Sequence, residues 1–390
     1  MVNFSERGIK GVVILAAVDW NFLRQRVHHF ATSMAQTGLK VLFIENTAVR
    51  SPKLGDLPRI IQRLRIIFSS QIDYGGEPVP KNLTIYSPLA APWPYKDAAV
   101  AWNHWLLYRK VRRFLMEEKL RPEEVLLYTY LATPLVLRLI EDYPWARVVY
   151  DVVSDPKQVE PRLAPFEEQL LRRANITLFA SATLLEQYHV HTKNPVLFRD
   201  GFSTELLDAE IEIPPDVAKL PRPRLLYIGG INRKLWVEAI EALCEAVPHG
   251  SIILMGPVAY DEVELPKLPN LYLLPPRQRY IELAGVLRAA DVGLIPYRPD
   301  PYASAMHPAK LNEYLVFGLP VVATATVELK RLATEMPDRI LYLADSPEKF
   351  SKITLNVLSS NFDEVRRICR EITLENTWLQ RLHELMNIIV

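Results

Sequence analysis

His307-Pro308-Ala309-Lys310-Leu311-Asn312-Glu313-Tyr314-Leu315-Val316-Phe317-Gly318-Leu319-Pro320-Val321-Val322-Ala323-Thr324 reads as a loop, a short helix stopped by Gly318, and a buried strand opening at Pro-Val-Val. A helix start presents unpaired backbone N–H groups and the positive end of a dipole, so it can hold an anion. Lys310, one turn in, adds a full charge, and Glu313 can accept hydrogen bonds from sugar hydroxyls. The combination suits a phosphorylated, hydroxylated ligand such as a nucleotide sugar. It equally suits a helix packed on a sheet with a Lys and a Glu at its surface.

The same alternation of helix and strand extends through the chain, the signature of a parallel-sheet α/β architecture. Upstream lie strands at 224–228, 251–255, 271–274 and 292–295, with helices at 236–247 and 281–289. Helices at 347–359, 363–373 and 378–389 follow. Between 206 and 224 periodicity is lost and prolines crowd (Ile213-Pro214-Pro215, Pro221-Arg222-Pro223), which marks a linker. An earlier αβ series precedes it. Its strands are 11–17, 40–45, 83–86, 125–130, 147–153, 176–180 and 196–199, and its helices 22–38, 102–119 and 165–174. Two similar-sized αβ domains with a ligand between them follow.

Composition narrows the class. A chain of 390 residues exceeds one core. A net charge of +1 gives no basis for nucleic-acid binding. No run of 18 apolar residues exists to span a bilayer, and the first residues lack a signal-peptide profile. Cys244 and Cys369 fall on helical patterns and read as buried thiols in a reducing cytoplasm. Segments 59–68 and 102–114 mix cations with large apolar residues. That pattern suits an anionic membrane surface, or two amphipathic helices whose apolar sides enter the core.

Asp19-Trp20, Gln25-Arg26-Val27-His28-His29, Tyr150-Asp151-Val152-Val153-Ser154-Asp155, Tyr227-Ile228-Gly229-Gly230-Ile231-Asn232, Met255-Gly256-Pro257, Asp291–Tyr297 and the 307–324 stretch occur in an order and spacing that resemble nucleotide-sugar glycosyltransferases of the two-Rossmann-domain (GT-B) fold, most of all bacterial surface-polysaccharide and teichuronic-acid types. The resemblance spans nearly the whole chain. It implies an α/β fold of two Rossmann-like domains facing across a cleft. Residues 1–205, joined by a returning C-terminal helix at 376–390, would form the acceptor domain, and 206–375 the nucleotide-sugar donor domain.

On the donor side the resemblance makes Lys310 the phosphate-binding lysine and Glu313 the ribose-binding carboxylate, with Met306 and His307 supplying backbone N–H groups. Gly229 and Gly230 let the backbone approach the diphosphate, and Asn232 and Arg233 follow, the latter a cation for the leaving group or a surface charge. Arg277 falls in the base-contacting loop, and Tyr297 lines the pocket or simply packs. Many retaining relatives carry a second glutamate where this chain has Ala305, so the contact to the donor sugar is missing.

On the acceptor side, Asp19 ends the first strand and either serves as base or hydroxyl ligand or caps the following helix. Asp151, closing another strand, is the preferred catalytic base, with burial expected to raise its pKa, or else a structural carboxylate. Trp20, Arg26, His28 and Asp155 are the further acceptor-side residues.

The activity implied is transfer of a sugar from a nucleoside-diphosphate sugar, UDP favoured over GDP, to a hydroxyl of a glycan or lipid-linked acceptor in cell-surface polysaccharide synthesis. No Asp-x-Asp clamp and no His/Cys cluster is present, so neither metal nor cofactor is expected. The alternatives are a nucleotide-sugar epimerase of the same fold and a catalytically inactive nucleotide-sugar-binding partner subunit. The expected location is cytoplasmic, with peripheral attachment to the inner membrane leaflet.

Overall fold

A computed structural model describes residues 8–46, 79–91, 93, 95–208, 210–277, 279–360 and 363–389. The chain divides into two compact units, Met1–Arg199 with Leu382–Val390, and Asp200–Arg381. The divisions lie at 199/200 and 381/382 rather than at 205/206 and 375/376.

In unit 1 the strands are β1 (Gly11–Leu15), β2 (Lys40–Ile44), β3 (Leu83–Tyr86), β4 (Val125–Thr129), β5 (Arg147–Val152), β6 (Ile176–Phe179) and β7 (Pro195–Leu197). They form one parallel sheet in the order β3-β2-β1-β4-β5-β6-β7. β1 and β4 are buried at every position, as strands covered on both faces must be, which is why they read as unbroken apolar runs rather than alternating ones. The connecting helices are α1 (Arg26–Gln36), α2 (Asp97–Glu117), α3 (Pro134–Asp142), α4 (Ala164–Arg173) and α5 (Ala182–Tyr188). Thr133 and Ser181 cap α3 and α5 by accepting the Val136 and Leu184 amides.

Unit 2 holds β8 (Arg224–Ile228), β9 (Ser251–Met255), β10 (Leu271–Leu274), β11 (Val292–Ile295), β12 (Val321–Thr324) and β13 (Leu341–Ala344). Their order is β10-β9-β8-β11-β12-β13, again parallel. Its helices are α6 (Val237–Ala246), α7 (Leu283–Ala289), α8 (Lys310–Val316), α9 (Val327–Glu335), α10 (Pro347–Leu358), α11 (Asp363–Leu374) and α12 (Trp378–Ile389), the last crossing the 381/382 division. Both sheets reverse direction of growth beside their first strand, at β1/β4 and β8/β11. In such sheets ligands sit outside the carboxyl ends at this reversal.

Helix α1 starts at Arg26, not Phe22. The chain between turns first, with the Phe22 amide on the Asp19 carbonyl at 3.1 Å, and the His28 ring accepts the Gln25 amide at 3.0 Å, fixing the helix start. β13 and the helices α3 and α9 are absent from the sequence reading, being short and only partly apolar, while α5 follows Ser181, which the sequence offers as a helix cap.

Both cysteines are free and buried. Among the described residues no helix is long and apolar enough to cross a membrane. Segment 59–68 lies outside the described residues.

Candidate active site

The site in unit 2 is built on α8, and one buried tyrosine fixes where that helix lies. β8 and β11 diverge after pairing at Leu225 and Leu226. Tyr314 fills the gap. Its phenol accepts the Ile228 amide at 3.0 Å and donates to the Leu294 carbonyl at 3.3 Å, satisfying one backbone group on each strand. Gly293 makes room, since a Cβ there would come within 2.6 Å of the Tyr314 ring. Tyr314 thereby sets the register of α8. Lys310, four residues earlier, shares its side of the helix, and Glu313 lies three residues after Lys310, next to it on the helix surface.

Lys310 reaches the end of β8. Its Nζ donates to the Tyr297 phenol at 3.0 Å and lies 4.2 Å and 4.9 Å from the ring centroids of Tyr227 and Tyr297. Burial draws the Lys310 pKa down, and the nearby Lys234 acts in the same direction. Gly229 has φ +129°, and a Cβ built there would meet Lys310 Nζ at 3.2 Å. Gly256, at φ +152°, brings the end of β9 so close that a Cβ would stand 2.0 Å from the Gly229 carbonyl oxygen. Both glycines are therefore required by the backbone at the carboxyl edge of the sheet.

Glu313 accepts the Tyr280 phenol at 2.7 Å. Burial pushes its carboxyl up to about 7. Asn232 accepts the Lys234 amide at 3.1 Å, and Arg233 and Lys234 lie over the Tyr302 ring at 5.9 Å and 4.9 Å. Gly229, Gly230, Asn232, Arg233, Tyr297, Lys310 and Glu313 thus cluster along the reversal between β8 and β11. Ala305 is buried behind the short 301–304 helix.

The His307 side chain is buried. Two donor-side expectations need adjustment. The Met306 amide donates to the Ala303 carbonyl at 3.2 Å, so it is spent inside that turn. Arg277 is held by Asp216, at 3.0 Å and 2.9 Å to the two carboxylate oxygens, so its guanidinium is a structural clamp. A cavity of about 480 Å³ lined by Phe317, Arg366 and Arg370 opens instead near the amino ends of β11 and β12, away from these residues.

In unit 1 the structure corrects the acceptor-side reading. Asp151 is fully buried. Its Oδ2 accepts from Arg26 Nε at 2.7 Å and from the Tyr128 phenol at 2.6 Å. The Arg26 guanidinium lies beside the stacked pair Phe30 and Phe198, 5.4 Å and 5.1 Å from their ring centroids. A carboxylate so enclosed, with a fixed cation as partner, is an internal ion pair and not a base open to an acceptor. His28 is also internal. Its Nδ1 accepts the Gln25 amide and its Nε2 faces the Asp19 carbonyl at 3.2 Å, which requires the neutral ring. Burial and the neighbouring Arg24 charge lower its pKa to about 3. Trp20 is buried against Phe43 and His28. Asp155 caps the short 156–159 helix and accepts the Tyr188 phenol at 2.7 Å.

Asp19 remains partly exposed at the carboxyl end of β1. It is not the cap of α1, because Gln25 occupies that position. A carboxylate missed in the sequence, Glu45, supports this loop from beneath: it accepts the Trp20 amide at 2.8 Å and the Ser87 hydroxyl. Tyr280 and Tyr314 were missed as well, since an aromatic in an apolar run carries no sign of what its hydroxyl meets.

One seven-stranded and one six-stranded parallel sheet, the first extending the 3-2-1-4-5-6 order of the second by β7, are the two sheets of the GT-B fold. Residues 222–360 match the family described as Glycosyl transferases group 1. TuaH of Bacillus subtilis (strain 168), named for teichuronic acid biosynthesis, is 27% identical over 281 residues, 64% of this chain and 68% of its own length. Sucrose-phosphate synthase of Thermosynechococcus elongatus shares the fold with a TM-score of 0.67 at 13% identity, over 97% of this chain and 98% of that one. HepE of Anabaena, solved with UDP and glucose, aligns with a TM-score of 0.63 at 12% identity, over 97% and 98% of the two chains.

Proposed function

We propose that the protein transfers a sugar from a UDP-sugar to a hydroxyl of a glycan or lipid-linked acceptor in the synthesis of a cell-surface polysaccharide. The observation that carries this reading is the pairing of Lys310, locked against Tyr297 beside Gly229, with Glu313 one turn later on the same helix. Lys310 would meet the diphosphate and stabilise the charge that develops on it as the sugar leaves. Glu313, held by Tyr280, would accept the ribose hydroxyls. Lysine then fills the place a divalent ion has in other transferases, and we read the step as metal-independent.

Asp19 is the acceptor-side group we assign as base. Its partial exposure supports that role, as does the His28 hydrogen bond to its carbonyl. Asp151 and Arg26 would act only by holding the unit 1 framework. The likeness to TuaH supports a surface polysaccharide as product, and the UDP bound by HepE supports uracil as the base. The same proposal puts the protein in the cytoplasm, peripheral to the inner leaflet where lipid-linked acceptors lie.

A calorimetric titration with UDP and GDP tests the donor half. UDP should bind, and K310M should weaken it about 10- to 100-fold, the range for a lost charged hydrogen bond. Absence of UDP binding, or K310M binding like the parent, would overturn it.

A further inference from the structure

Helix α2 separates its large apolar residues in a way its sequence does not reveal. Ala99, Val100, Leu107, Val111, Phe114 and Leu115 face the core. The two tryptophans do not. Trp102 and Trp105 are 47% and 43% exposed, and their rings stack on each other at 5.2 Å. On the same side of the helix follow Arg109, whose guanidinium sits 4.7 Å from the Trp105 centroid, then exposed Arg112 and Met116. The spacing 102, 105, 109, 112, 116 marks a single helical face. The loop before α2 adds to it. Leu89 and Trp93 are 54% and 52% exposed, Trp102 Nε1 lies 3.5 Å from the Leu89 carbonyl, and Lys96 Nζ is 5.7 Å from the Trp93 ring.

We infer that this face of unit 1, formed by Trp102, Trp105, Leu89 and Trp93 with Lys96, Arg109 and Arg112 at its margins, docks on the surface of an anionic lipid bilayer. The inference deepens the proposed location and names the surface responsible. Four large apolar side chains left in water at one place need a cover. Tryptophan suits the level of lipid headgroups, because its ring is apolar while its N–H stays polar. The charge decides the occupant. The exposed cations beside these rings are Lys96, Arg109 and Arg112, while Arg113 is neutralised by Glu117 at 2.7 Å. Asp97 is the one acid in the first turn of α2. A second copy of the same face would bring these cations together, whereas an anionic leaflet complements them.

The test is co-sedimentation of the full-length protein with phosphatidylcholine vesicles, with and without phosphatidylglycerol, at low and high salt. Binding should require phosphatidylglycerol and fall with salt. R109S/R112S should lower the partition coefficient roughly fivefold per residue, and W102S/W105S by about tenfold or more. Brominated lipid should quench the parent's tryptophan fluorescence and quench W102S/W105S much less. All four positions are exposed, so the melting temperature should hold, and UDP binding should survive in both variants. Vesicle binding indifferent to phosphatidylglycerol, or unchanged in W102S/W105S, would overturn the inference. So would a lipid-free dimer abolished by W102S/W105S, which would make a second copy the occupant. If the donor-site reading alone were wrong, UDP would fail to bind while the vesicle results stood.

Discussion

At Glu313 burial works against the ionised form of a single side chain. Glu313 carries a pKa of about 7 against an ordinary 4.5. Between those values the folded chain holds a proton that the unfolded chain has released, so stability falls as pH rises through that window. E313Q should remove this contribution, so its melting temperature should decline less than the parent's between pH 5 and pH 8. An equal decline would refute burial of an ionisable group there. Donor binding should run the opposite way. Ribose hydroxyls donate to the ionised carboxylate, so UDP affinity should rise with pH through about 7 in the parent and stay flat in E313Q, as titrations at several pH values would show.

The Arg26–Asp151 pair makes a different prediction. Truncating one partner leaves a buried charge, which costs about 3–5 kcal/mol. R26M should therefore lose stability of that order in urea unfolding, whereas D19N should unfold like the parent and lose turnover. A D19N enzyme with parental turnover would remove Asp19 as base. The position of Asp151 at a strand's end was visible in the sequence. Its partner was not, because Arg26 lies 125 residues away and nothing local couples the two.

At the level of elements, Tyr314 joins α8 to β8 and β11 with one hydroxyl. Y314F keeps the ring but orphans the Ile228 amide and the Leu294 carbonyl, at a cost of about 1–3 kcal/mol. It should also weaken UDP binding although the Tyr314 hydroxyl is taken up by two backbone groups, because Lys310 and Glu313 take their places from this helix. Unchanged affinity in a destabilised Y314F would show that α8 is held by other means. The strands at 224–228, 251–255, 271–274 and 292–295 were legible to the residue, because each is a continuous, mostly apolar run bounded by glycine, proline or polar residues; 224–228, 251–255 and 292–295 are buried at every position. α1 was read four residues too long at its start, because the Asp19–Gln25 turns depend on His28 and Glu45 rather than on a local breaker. β13 was missed because a four-residue, half-buried strand has too few positions to show a period.

For the whole molecule, the two units repeat one strand order, and the sequence showed this through its two αβ series and the proline-rich stretch between them. What it could not show is how differently the two carboxyl edges are used. In unit 2 the charged residues of the edge, Lys310 and Glu313, are held by tyrosines whose hydroxyls leave the cation and carboxylate poised for a ligand. In unit 1 Asp151 and Asp155 accept internal hydrogen bonds, and Asp19 is partly exposed. The central claim is that the edge of unit 2 is a nucleoside-diphosphate site. Titration calorimetry of the full-length protein with UDP tests it most directly. The account predicts one site per chain, weakened about 10- to 100-fold in K310M with the melting temperature preserved. A parent protein that binds no UDP, or a K310M protein that binds it as tightly as the parent, would contradict it.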